Sequence, residues 1–399
     1  MQPPIHSVTI QNLLSFGEAT TIELHPLNVL IGPNGSGKSN LIEILGLLQN
    51  APDELITGIN NGGPIEDWLW KGAAKTPVAS IQIAVRRPPE WAHENTTPVC
   101  YSLAFTKAGF RFKIVQEFIG ECPVPDLEGT GLLPRSAYYA YSNEQAKFVV
   151  KGEEIPLRFE DVNPQLSILA QRKDPEHYPE ITYLGSLFSR FRLYRDCEFG
   201  SVSDVREPCD AGLQNEYLEE DGANLGVVLD RLLAQPAVKR QILESLRTFN
   251  GDAADLRTSV EGGKVQTRLE ESYLNAAVPL VRMSDGTIRW LALLAILLNP
   301  APPPLVCIEE PELGLHPDMI HELAKLLVTA STRMQLIVTT HSERLVEEFS
   351  EMPEVVIVCE KENCSSALRR LSAAQLSEWL QEYSLGELWA KGQLGGTRW

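Results

Sequence analysis

Gly32-Pro33-Asn34-Gly35-Ser36-Gly37-Lys38-Ser39 matches the spacing Gly-x4-Gly-Lys-Ser/Thr. An apolar run, residues 27–31, precedes it, and a helix-like run follows at 39–49 with Leu41, Ile42, Leu45 and Leu48 on one side. Glycines at these positions let consecutive backbone N–H groups turn inward around phosphate oxygens, and the helix end adds positive field. Asn34, Gly35, Ser36, Gly37, Lys38 and Ser39 are therefore expected to cradle a nucleoside triphosphate. In that cradle Lys38 reaches the β- and γ-phosphates, and Ser39 holds Mg2+. The strand–loop–helix context argues against a plain glycine-rich turn.

Three distant groups fit the same chemistry. Glu309 and Glu310 close the apolar run 304–308, the place where open α/β sheets bind ligands. Glu309 is expected to hold Mg2+ through water, and Glu310 to polarise an attacking water. A solvated acidic turn is the plain reading of the pair, and the phosphate loop weighs against it. His341 follows another buried run, residues 335–340, and is a candidate γ-phosphate sensor. Read plainly, Ser342 caps a helix there and His341 is merely exposed. Met283-Ser284-Asp285-Gly286-Thr287 opens a long apolar helix. Ser284 or Asp285 caps it, and a helix tip bearing Ser284 and Gly286 is also a second anion site. One chain then carries two anion sites that cannot meet on one nucleotide, whereas two copies placed head to tail satisfy both.

The elements around these groups follow from periodicity. Residues 6–13, 20–24 and 27–31 read as strands, and 51–77, rich in Gly, Pro, Asn and Trp, as loop. From 78 to 157 the pattern is that of antiparallel hairpins, residues 222–248 read as helix, and 284–359 alternates helix and strand. Residues 372–384 read as one amphipathic helix, with Leu376, Trp379, Leu380 and Tyr383 on a face and Ser372 and Gln375 as a capping box. Docking on the protein's own body is the favoured use of that face, with Trp389 and Trp399 continuing its aromatic character.

Composition narrows the class. A net charge of −18 disfavours broad nucleic-acid binding, leaving Arg86 with Arg87, and Arg190, Arg192 and Arg195, as the local basic clusters. Nucleic acid stays possible as a partner on those clusters alone. The longest apolar stretch, residues 290–298, is far short of the roughly 20 residues of a membrane helix, so no membrane contact is expected. The seven cysteines lack paired spacing, and no secretory leader opens the chain, so reduced thiols in a cytoplasmic protein are expected.

The order of phosphate loop, Ser-Asp-Gly-Thr at 284–287, Glu-Glu-Pro-Glu at 309–312 and Thr-His-Ser at 340–342 resembles ABC-type ATPases of the SMC/RecF/OLD branch, most of all its compact stand-alone bacterial members. Residues 10–16, 221–225, 386–389 and 395–399 resemble that branch too. The resemblance implies an α/β P-loop NTPase head with a mixed or parallel core sheet, an antiparallel β subdomain and a helical lid, with no long coiled coil. It implies one head over 1–399: lobe I at about 1–160, an inserted helical lid region at 161–280, lobe II at about 281–360, and a C-terminal helix and tail at 361–399. Ser284 and Gly286 match the signature that contacts ATP held by the other protomer, Glu309 and Glu310 the Walker B pair, and His341 the switch histidine. Pro311 to Pro317 take the D-loop position, while the Q-loop glutamine stays open between Gln116 and Gln171. The cofactors implied are ATP and Mg2+. Only 58 residues follow His341, without a grouped acidic metal site, so the nuclease domain of the OLD proteins is expected in a separate chain. The leading expectation is a slowly hydrolysing, dimerising switch that gates an effector such as a Toprim-type nuclease, in phage defence or DNA-damage handling. The alternatives are a RecF-like DNA-binding repair ATPase and, behind it, a transporter subunit.

Overall fold

The computed structural model describes residues 3–88, 91, 97–122, 137–142, 145–150, 153–157, 163–195 and 204–395. Cys197, one of the seven cysteines, and residues 396–399 lie outside the described residues. The chain forms two compact units, one of residues 2–191, 354–375 and 392–399, the other of 192–353 and 376–391.

The first unit carries an eight-stranded antiparallel sheet. Its order is Thr20–Glu23, Ile5–Gln11, Ala79–Val85, Val99–Ala108, Arg111–Glu121, Ala137–Ser142, Gln145–Val150, Glu153–Leu157. Alternation explains it: Ala79, Ile81 and Ile83 are buried while Ser80 and Gln82 are only partly so, as one covered face requires. Leu27–Ile31 instead is buried at every residue and runs parallel to Val356–Glu362, with Val29 opposite Val356. Val356–Glu362 then turns back into Ser365–Arg370.

Two expectations fail in this unit. Residues 51–77 contain the helices Leu55–Asn61 and Ile65–Trp68. Their Gly- and Asn-rich composition hid a small core of Leu55, Ile59, Ile65 and Trp68, with the Trp68 indole N–H donating to Ile59 O. The cysteines are not all reduced, since Cys100 is bonded to Cys122. Pairing of the two neighbouring strands, with Cys100 opposite Gly120, brings together residues whose spacing gave no sign of it.

The second unit carries the parallel strands Arg192–Tyr194, Leu305–Glu309 and Gln335–Thr339, with Leu305 opposite Gln335. Its helices include Asp285–Leu297, Ile320–Ala330 and Glu343–Glu347. The run read as one helix over 222–248 is two, Leu225–Leu233 and Pro236–Phe249, because Pro236 cannot continue the first but suits the opening turn of the second. A hairpin that the periodicity did not announce follows, Ala253–Glu261 with Lys264–Glu271, turning at Gly262 and Gly263. Cys209–Asp210 and Val278–Pro279 both pair with the other edge of Lys264–Glu271.

The amphipathic helix expected at 372–384 is broken into a turn at Ala373–Leu376 and a 3-10 turn at Trp379–Gln381, leaving Trp379 48% exposed. The docked helix is Leu385–Ala390, which buries Leu385, Leu388 and Trp389 against the second unit. Its capping box is Ser384 with Glu387, not Ser372 with Gln375. Gly386 explains the placement, since a Cβ there would meet Glu343 O at 2.5 Å. Among the described residues the longest helix has 14 residues, Pro236–Phe249, and no helix is long and apolar enough to cross a membrane.

Candidate functional site

On the first unit, the phosphate loop leaves the buried strand Leu27–Ile31 and enters the helix Lys38–Asn50. Gly32 must be glycine, because a Cβ would lie 2.1 Å from Cys359 O, and Gly37 enters the helix at φ 112°. Nothing stands within 4 Å of the Cβ position of Gly35, so the loop is open on that side. Lys38 is buried, and its Nζ donates to Gly32 O at 2.8 Å and Pro33 O at 3.1 Å, which draws the ammonium across the loop.

The loop is braced by residues that the motif does not contain. Ser15 Oγ accepts from Asn40 Nδ2 at 2.7 Å and lies 2.7 Å from Ser366 Oγ. The Ser366 N–H donates to Ser15 O, tying the turn before the loop to the Ser365–Arg370 strand.

The loop fits a phosphate by chemistry as well as shape. Ser36 is 1% exposed, and its Oγ has no partner within the protein. A buried hydroxyl without a partner costs about 1–3 kcal/mol, which a phosphate oxygen in the cradle would recover. Asn34, Gly35, Ser36 and Gly37 supply the loop backbone, and Ser39 is the second residue of the helix.

On the second unit the two carboxylates and the histidine share neighbouring strand tips. Glu309 ends Leu305–Glu309 directly opposite Thr339, and Arg195 Nε donates to Glu309 Oε1 at 3.3 Å. Glu310 takes a left-handed backbone, φ 45°, rare for a residue with a long side chain and concentrated at functional sites. Its N–H donates to Thr339 O at 3.0 Å, which fixes that geometry. Glu310 Oε1 stands 3.7 Å from His341 Nε2.

Sequence reasoning gave Glu312 no role of its own, yet it organises this corner. Its Oε1 accepts from Thr340 Oγ1 at 2.5 Å and from the His341 N–H at 3.2 Å. Oε2 is buried without a partner, and burial pushes the carboxyl above its usual range against the hydrogen bonds that lower it. The signal available was the third acid of Glu-Glu-Pro-Glu, which spacing alone could not connect to residues 340–341.

Ser284 caps the helix Asp285–Leu297, its Oγ accepting from the Thr287 N–H at 3.1 Å, and it is exposed. Gly286 lies beneath Gly314 O, which a Cβ would meet at 3.2 Å, and the Arg289 guanidinium donates to Leu313 O. The helix tip and the loop after the carboxylates are thereby one assembly.

For Mg2+, no group of three or more His, Cys, Asp or Glu that could hold a metal occurs among the described residues. A nucleotide-bound Mg2+ takes most of its ligands from phosphates and water and only one or two from the protein, so it does not require such a group. Three members of the basic clusters are engaged internally: Arg87 with Glu121, Arg192 over the Tyr217 ring, Arg195 with Glu309. Gln171, one Q-loop candidate, donates to Leu166 O and accepts from the Asn163 N–H in its own loop.

Comparison with known proteins bears on the fold and the family. A family model for AAA ATPase domains matches residues 4–83. The chain is 29% identical over 110 residues to the chromosome partition protein Smc of Mycolicibacterium paratuberculosis, and 28% identical to that of Mycobacterium tuberculosis. Each match spans 27% of this chain and 9% of the relative's length. A crystal structure of an Smc head bound to the C-terminal winged-helix domain of ScpA superposes with TM-score 0.57, at 14% identity over 94% of this chain and 99% of that one. An Smc head with an extended coiled coil, bound to the C-terminal domain of ScpA from Pyrococcus furiosus, gives 0.56 at 13% identity, over 95% and 99%. The fold is thus the α/β SMC-type head that the motif order implied. A model described as "AAA domain, putative AbiEii toxin, Type IV TA system" matches residues 120–347, more than half of the chain, and to that family of AAA ATPase domains the protein belongs.

Proposed function

We propose that the protein is an ATP-binding and slowly hydrolysing switch, that two copies pair through ATP, and that pairing gates a separately encoded effector. The observation that carries this reading is the exposed, Ser284-capped tip of the helix Asp285–Leu297, which is free to meet a ligand held by another molecule. Asn34 to Ser39 bind the triphosphate, with Lys38 on its β- and γ-phosphates, and Ser284 with Gly286 caps the γ-phosphate of the partner copy's ATP. Ser39 and Glu309 are the residues that would hold Mg2+, which supplies neutralising charge. Glu310 orients and polarises the attacking water, and His341 marks the γ-phosphate. Since the ligand's contacts differ between open and paired states, ATP shifts the balance toward pairing, and hydrolysis releases it.

The effector proposed is a nuclease, of Toprim type, acting in phage defence or DNA-damage handling in the cytoplasm. What supports it is the resemblance to the OLD branch; the family's description adds a toxin–antitoxin setting and names no nuclease. A direct DNA-binding role is less supported, since Arg87, Arg192 and Arg195 already have internal partners.

The test is Glu310→Gln purified with its genomic neighbours. Turnover should fall about 10²- to 10⁴-fold while ATP binding persists. Mass measured by light scattering should double with MgATP and return on its removal. A variant that binds ATP yet stays single at every concentration overturns the pairing.

A further inference from the structure

We infer that a cavity of about 190 Å³ in the second unit, lined by Arg206, Thr267 and Leu280 among others, is a binding site for a planar cyclic amide of nucleobase size. The cavity is open on one side, where Val281 is 43% exposed. A dry cavity of about 150 Å³ already takes a benzene ring, so this one holds a single small heterocycle. Its walls are mainly apolar, from Pro208, Val265, Pro279, Leu280 and Val281. Thr267, 3% exposed, is one of the lining residues, and its Oγ is buried without a partner in the protein. Apolar walls with one buried hydrogen-bonding hook are the usual composition of a small-molecule site.

The sheet register selects the ligand's shape. Cys209–Asp210 pairs with Lys264–Glu271 only as far as Val265, and Val278–Pro279 only from Arg268 onward. Gln266 and Thr267 therefore have a cross-strand neighbour on the Ala253–Glu261 side alone. A strand edge alternates N–H and C=O, and a ring carrying adjacent N–H and C=O groups is its complement. Glu207, also on the lining, accepts an N–H and repels phosphate, which favours a free base over a nucleotide.

Occupancy would be felt at the helix tip. Arg206, buried on the cavity wall, donates to Met283 O at 2.8 Å and pairs with Asp285, the two residues flanking Ser284. The consequence for pairing rests on the proposed function, whereas the binding itself does not. Glu310→Gln failing to pair would thus leave the following titration unaffected.

The full chain is titrated by calorimetry with uracil, hypoxanthine and the cyclic dipeptide of glycine and proline. At least one should bind at one site per chain and raise the melting temperature. Bases binding without the dipeptide points to nucleic-acid breakdown as the source, and the reverse to peptides. Thr267→Val keeps the shape but loses the hydroxyl, and should weaken binding about three- to tenfold. Val281→Trp, at a 43% exposed position on the lining, should block it without disturbing the core. Lys38→Ala should leave it intact. The inference is overturned if none of the three probes binds, if Lys38→Ala abolishes binding, or if Thr267→Val and Val281→Trp both leave it unchanged.

Discussion

Glu312 separates two ways in which an acid can matter at a strand tip. One oxygen holds Thr340 Oγ1 and the His341 N–H, and the other is buried without a partner. Removing the side chain therefore relieves a desolvation cost while it frees the histidine, so stability should change by no more than about 1–2 kcal/mol. Turnover should respond more strongly. Glu312→Ala is expected to lower kcat about tenfold or more with KM for ATP little changed, the pattern of a contact made in the transition state only. Glu312→Gln, which retains an acceptor for both groups, should restore most of the rate. Steady-state kinetics with a melting curve decide it: a raised KM at unchanged kcat would mean that Glu312 does not position His341. The phosphate loop was legible because its chemistry is written in eight consecutive residues. Glu312 was not, since its partners lie 28 and 29 residues away, and Ser15 meets Ser366 across 351. Contacts of that reach leave no local spacing to read.

Elements were readable where one period ran unbroken. The alternation of Ala79–Val85 and the uniformly buried Leu27–Ile31 announced themselves, but the tail at 372–384 has helical spacing without a helix to match. There the partner surface decided, favouring Leu385–Ala390. A second element-scale device joins Arg111–Glu121 to the short helix Ile168–Gln171. Glu117, 2% exposed, accepts from Tyr101 OH, Ser167 Oγ and the Ile168 N–H. Burial outweighs these bonds and raises its carboxyl to about 7. The folded chain then holds a proton between roughly pH 4.5 and 7 that the unfolded chain releases, so this group's contribution to stability declines as pH rises through that window and levels off above it. The full effect is on the order of 3 kcal/mol. Glu117→Gln, permanently neutral, should lessen the fall in denaturant midpoint between pH 5 and 8. An identical pH profile in both proteins would show that Glu117 is ionised throughout.

At the scale of the whole molecule, the proposed clasp makes a demand that no single chain can meet. Each ATP would be bound by Lys38 of one copy and capped by Ser284 of the other, so two defects on different chains should complement. Lys38→Ala alone spoils both cradles. Ser284→Asp spoils both caps while still accepting from the Thr287 N–H, because aspartate is as good a helix cap as serine but repels the γ-phosphate. Mixed in equal amounts, half of the pairs contain one chain of each kind, and each such pair has one composite site with neither defect. The mixture should therefore regain about a quarter of the wild-type rate, given random twofold pairing and independent sites. Each variant alone should stay near zero. A mixture no more active than the mean of its parts, although mass measurements confirm mixed pairs, would mean that Lys38 and Ser284 act on the same chain's nucleotide.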